Sequence, residues 1–126
     1  MRTRRALAVT FGLAILPGIA LAANLPLKGS YGNTDGCLYA LTGESTGSDN
    51  FFLLTPEAVT TAVSYCEIKN VLTETTEGFV VSVSCHGEGD PNEEAAFEIN
   101  VEPAGPDAYT LRLDDGSTWG PLALCK

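Results

Sequence analysis

Residues 64–87 read SYCEIKNVLTETTEGFVVSVSCHG, with a cysteine near each end and a polar middle that closes on glycine. The second half alternates: Phe79, Val81, Val83 and Cys85 are separated by Val80, Ser82, Ser84 and His86. A period of two marks a strand with one apolar face, because successive side chains leave the pleat on opposite sides. With Cys66 set antiparallel to Cys85, Ile68 falls opposite Val83 and Leu72 opposite Phe79. Both cysteines then share the apolar face, Glu67 and Lys69 point to water, and residues 73–78 form the loop. A slip of one residue would turn the whole apolar set outward, so the register is strongly specified. The stretch predicts a hairpin stapled by a disulfide.

The same kind of patterning continues on both sides. Short runs rich in β-branched and aromatic residues predict strands near 28–32, 36–41, 50–55, 62–71, 78–87, 95–102, 108–114 and 118–125. Thr55-Pro56-Glu57-Ala58 offers a cap residue and a first-position proline, which predicts one helical turn before Thr60, Thr61 and Val63 end it. Short connections favour antiparallel neighbours. In a second hairpin Phe97, Ile99 and Val101 face Leu113, Leu111 and Tyr109 across a loop at 102–108. Asp115-Gly116 then marks a tight turn into the last strand. There Leu122 and Leu124 share one face while Trp119 and Cys125 share the other, and Gly120-Pro121 offers a bulge or edge position that resets the alternation. The expected fold is all-β: a small antiparallel meander, barrel or sandwich of about eight short strands, with at most one short helical turn and two disulfides.

The chain start decides where the cysteines live. Arg2, Arg4 and Arg5 precede an apolar stretch at 6–16, and Ala20-Leu21-Ala22 supplies small residues where a signal peptidase reads. That pattern predicts a signal peptide over residues 1–22, cleaved after Ala22 or Ala23, and a single acidic β-domain over 23–126. Pro17 and Gly18 interrupt a run too short to span a bilayer comfortably, and no cysteine follows closely enough for lipid attachment. The expected location is therefore periplasmic or secreted, with no membrane insertion after cleavage. In an oxidising compartment Cys37, Cys66, Cys85 and Cys125 are expected to form two disulfides. Zinc spacing and C-x-x-C are both missing. If Cys66 joins Cys85, Cys37 joins Cys125 and ties the first half of the sheet to its last strand. The rival pairing, Cys37–Cys66 with Cys85–Cys125, stays open.

Of the 7 basic residues three leave with the leader, so Lys28, Lys69, Arg112 and Lys126 stand against all 16 acidic ones, a formal charge of −12. Such a surface repels nucleic acid phosphates and anionic lipid headgroups. It attracts a basic protein as partner, although surplus carboxylates also simply keep an exported protein soluble. Oligomeric state is not legible.

Gly43-Glu44-Ser45-Thr46-Gly47 matches the nucleophile elbow G-x-S-x-G, but an elbow needs a strand before it, a helix after it and an α/β sheet. Ser48-Asp49-Asn50 echoes a β-lactamase motif without its companions S-x-x-K and K-T-G. His86, Glu88 and Asp90 alternate onto one face and form a weak candidate for a divalent metal, with Asn92 and Glu94 as further oxygen donors. Carboxylate pairs carry no specificity at this density, so no catalytic residue and no cofactor is expected. Trp119, Tyr31, Tyr39, Tyr65 and Tyr109 suit a ligand cavity or, more simply, core and rim packing.

Cys66-Glu67-Ile68, Cys85-His86-Gly87-Glu88-Gly89, Asp114-Asp115-Gly116 and the closing Leu124-Cys125-Lys126 form a set: C-x-I, C-x-x-E-G, D-G and a terminal cysteine. It resembles that of small four-cysteine exported proteins of Gram-negative bacteria. The resemblance implies a secreted or periplasmic β-domain and carries over no functional residue. The expected role is a non-enzymatic binding protein engaging a cationic protein. The alternatives are a small-ligand carrier built as a β-barrel and an inhibitor of a cell-wall hydrolase.

Overall fold

A strand with one apolar face still needs partners for the backbone groups on both its edges, and here each edge finds one. The computed structural model describes residues 24–87 and 94–126. The elements are β1 (Tyr31–Gly32), α1 (Thr34–Thr42), β2 (Phe52–Leu54), β3 (Ala58–Thr61), β4 (Ser64–Thr75), β5 (Gly78–Gly87), β6 (Glu94–Pro103), β7 (Ala108–Leu113) and β8 (Thr118–Leu124). The strands close into one barrel in chain order, antiparallel throughout, with β1 paired to both β2 and β8. The all-β expectation thus resolves to a barrel. The expected leader, 1–22, lies outside the described residues.

In the β4–β5 hairpin Cys66 pairs with Cys85 and Ile68 with Val83, as the alternation requires. Beyond Ile68 the expected register fails. Two register shifts leave Lys69 and Leu72 without facing partners, so Val71 meets Val81 and Glu74 meets Phe79. Leu72 therefore does not oppose Phe79, and it is 47% exposed. Spacing gives the reason: Ile68 and Val71 are three residues apart, and a regular strand would send Asn70 inward. The extra residue returns Val71 to the core and leaves Asn70 to donate to Ser82 Oγ at 3.3 Å.

The β6–β7 hairpin differs by two residues: Ile99 faces Leu113, Val101 faces Leu111, and Tyr109 faces Pro103. A slip of two keeps the same face apolar, so alternation is blind to it. In β8, Trp119 opposes Leu111 and Leu122 opposes Tyr109, with a register shift between them. Both side chains reach the core cluster despite their odd spacing. Gly120, at φ 122°, takes the positive-φ backbone this reset requires.

Residues 36–41, expected as a strand, lie within α1, and the helical turn expected at 55–58 is a bend leading into β3. Cys37, Tyr39 and Leu41 alternate as a strand would, but the caps win. Asn33 Oδ1 accepts from Gly36 N at 2.9 Å, and Gly43, at φ 77°, donates to Tyr39 O at 2.7 Å. Thr55 does accept from the amides of Glu57 and Ala58, yet its own N–H donates to Ala58 O and turns the chain back as a hairpin.

Every strand sends a buried side chain inward: Tyr31, Leu54, Val59, Ile68, Val81, Ile99, Leu111 and Leu122. An eight-stranded barrel is just wide enough for such side chains to fill. Cys66–Cys85 sits in this core, and Cys37–Cys125 ties α1 to the residue after β8, which is the nested pairing. Cys37 thus anchors a helix, not a strand. For sequence separations of 19 and 88, chain entropy assigns about 3 and about 5 kcal/mol.

Gly36→Ala should destabilise the protein by about 1–3 kcal/mol, although alanine is the better helix former by about 1 kcal/mol. A Cβ there would run into the Phe52 carbonyl. Urea unfolding measures the change, and an unchanged midpoint would refute this packing of α1 on β2. The Cys66→Ala, Cys85→Ala double variant should lose about 2–4 kcal/mol while keeping the far-ultraviolet dichroism of the barrel. Loss of that spectrum below the melting point would make the bridge essential to the fold itself.

Candidate functional site

The residues singled out by sequence do not converge on one place. Cys66 and Cys85 are inward and buried, at 1% and 8% exposure, and all four cysteines are bonded. They are staples. His86 lies on the outer side of β5 opposite Tyr65 on β4 and Glu94 on β6, while Glu88, Asp90 and Asn92 lie outside the described residues. Among the described residues no three His, Cys, Asp or Glu side chains group closely enough to hold a metal ion. Gly43-Glu44-Ser45-Thr46-Gly47 follows a helix and precedes a strand, the reverse of an elbow.

The aromatics scatter as well. Tyr31 is core and meets Tyr109 edge-on, with centroids 4.9 Å apart, whereas Tyr65 is half-exposed on the outer face. Trp119 lines an end cleft of about 390 Å³ with Phe97, Leu113 and the Cys66–Cys85 bridge.

A second cleft brings together residues that strand patterning keeps apart. Helix α1, the connection 43–50 and the β3–β4 turn wall a space of about 490 Å³, lined by Tyr39, Asp49, Phe51, Thr60, Thr61 and Val63 among others. Tyr39 is 42% exposed and packs edge-on against Phe51, with ring centroids 5.6 Å apart. Thr61 Oγ1 accepts from the amides of Val63 and Ser64, which fixes the turn and leaves Val63 59% exposed at its tip. Asn33 holds the opposite wall: Oδ1 accepts from Gly36 N and Phe52 N, and Nδ2 donates to Asn50 O at 2.8 Å. Setting Tyr39 in a strand hides this cleft from sequence reasoning. The legible signal was chemical: no Lys, Arg or His occurs between Lys28 and Lys69, whereas Asp35, Glu44, Asp49, Glu57 and Glu67 do.

Comparison with protein-family models, curated proteins and solved structures gives no match to this chain.

Charge is distributed unevenly. Lys28 pairs with Asp107 at 2.8 Å, Lys69 with Glu67 at 3.2 Å and Arg112 with Glu102 at 3.1 Å. The Lys28 hydrogen bond holds Asp107 below the usual carboxylate range, and Ser117 does the same for Asp115. Asp35, Glu44, Asp49 and Glu57 have no cationic partner among the described residues.

Glu94 is held low by the Ser84 hydroxyl that donates to it, against the opposing effect of burial, with His86 and Lys69 in its field. A depressed folded pKa contributes stability that is complete above the unfolded value and is lost as pH falls through the folded one. Ser84→Ala should move the Glu94 pKa upward in an NMR titration and make the acid limb of the stability curve shallower. An unmoved Glu94 pKa would remove Ser84 as the cause.

Proposed function

We propose that the protein is an exported, non-enzymatic binding protein, periplasmic or secreted, whose partner is a cationic protein. The observation that carries this reading is the charge arrangement. Three of the four basic residues outside the leader are each matched by a carboxylate of the chain itself, and the chemistry left facing outward is acidic. Two disulfides suit an oxidising compartment. Among the described residues no helix is long and apolar enough to cross a membrane. A barrel interior filled from every strand favours recognition at the surface over an internal ligand. Inhibition of a basic cell-wall hydrolase is one specific form of this role, since covering a cationic enzyme needs no catalytic group of its own.

Complementary charge across an interface makes association depend on ionic strength. The exported protein should bind members of a panel of basic proteins, a basic cell-wall hydrolase included. Affinity should fall by about tenfold or more as salt rises from about 0.05 to 0.5 M. Titration calorimetry reads this directly. Binding only to neutral or acidic proteins, or affinity indifferent to salt, would overturn the proposal.

A further inference from the structure

We infer that the cleft between α1 and the β3–β4 turn is the docking surface for the cationic partner, and that it receives an arginine or lysine side chain. The partner's charge rests on the proposed function above; the location rests on the cleft itself.

Exposed apolar surface points to this side of the barrel. Among the described residues the exposed large hydrophobics are Leu38, Tyr39, Leu41, Val63, Tyr65 and Leu72; all but Leu72 lie on α1 or beside the β3–β4 turn, and Tyr39 and Val63 line the cleft itself. Charge then selects the occupant. Residues 29–68 contain five acidic residues and no basic one. Of these five Glu67 already holds Lys69, and elsewhere Glu102 and Asp107 hold Arg112 and Lys28, so a docking cation would have to displace them. At the cleft nothing needs displacing.

The lining fits a long cationic side chain better than a bare ion. It offers one carboxylate, Asp49, the exposed ring of Tyr39 backed by buried Phe51, and the hydroxyls of Ser45, Ser48 and Thr60. A metal would want several carboxylate or imidazole ligands. A guanidinium instead lays its flat face on an aromatic ring and directs its N–H donors at a carboxylate and hydroxyls around it. Val63 at the rim supplies apolar cover of the kind that keeps water from a buried contact.

The test uses two probes on the exported protein. Titration with n-butylguanidinium, followed by NMR, should shift resonances of Tyr39, Asp49, Phe51 and Val63 in the wild type, and Asp49→Asn should abolish the effect. Against a basic protein that binds the wild type, Val63→Lys and Asp49→Asn should each weaken affinity about tenfold. Glu98→Gln, on the outer face of β6, should change it by less than about twofold. Both cleft positions are exposed, so the variants are expected to fold, and circular dichroism checks that they do. Binding that Val63→Lys and Asp49→Asn leave unchanged overturns the docking surface and spares the partner reading. Butylguanidinium shifts spread over all acidic positions overturn the docking surface as well. Failure of every basic protein to bind the wild type overturns the partner reading itself.

Discussion

Closure of the sheet through a two-residue strand is the constraint on which the rest of the molecule depends. Tyr31 pairs with Leu54 on one side and Leu124 on the other, and Gly32 pairs with Leu53 and Ala123. So short a ladder cannot hold eight strands in a ring on hydrogen bonds that are each worth about 1 kcal/mol net. The seam is reinforced by Tyr31, which is buried in the core, and by Cys125 N donating to Ser30 O at 2.8 Å. The Cys37–Cys125 bridge adds a covalent tie across it. Gly32 lets the parts meet: a Cβ there would stand 2.8 Å from the Phe52 carbonyl oxygen and 3.1 Å from Cys37 N.

The device that closes the barrel also builds the cleft. Because Cys37 is bridged to the end of β8, α1 must lie against the seam, and Asn33 fastens its first turn to Phe52 and Asn50. Tyr39 is then carried to Phe51, across from the β3–β4 turn. The residues that hold the seam also position one wall of the cleft, while the longer hairpins β4–β5 and β6–β7 supply most of the core. The two sides also differ in charge, since Lys28, Lys69 and Arg112, all outside residues 29–68, pair with carboxylates.

What was legible follows from period and chemistry. The Cys66–Cys85 face could be read because both strands alternate there and a slip of one residue would turn Cys66, Ile68, Val83 and Cys85 away from one another's face. The bulges at Lys69 and Leu72 could have been suspected from the three-residue step between Ile68 and Val71, where a strict period fails. The two-residue slip of β6 on β7 could not, because it leaves the pattern unchanged. Helix α1 was misread because Cys37, Tyr39 and Leu41 mimic a strand over a stretch too short for period to arbitrate.

From residue order alone come a small all-β chain with an apolar face on each long strand, an excess of carboxylates and cysteines suited to pairing. These depend on residue type and on spacing along one strand, which the chain carries locally. Closure of the sheet, the winding of residues 36–41 into a helix across the seam, and the cleft shared by Tyr39, Asp49 and Val63 emerge in the folded molecule. Those outcomes depend on what meets what across long separations: the Phe52 carbonyl over Gly36, Cys125 beneath Cys37, Phe51 against Tyr39. Local periodicity holds no record of such contacts.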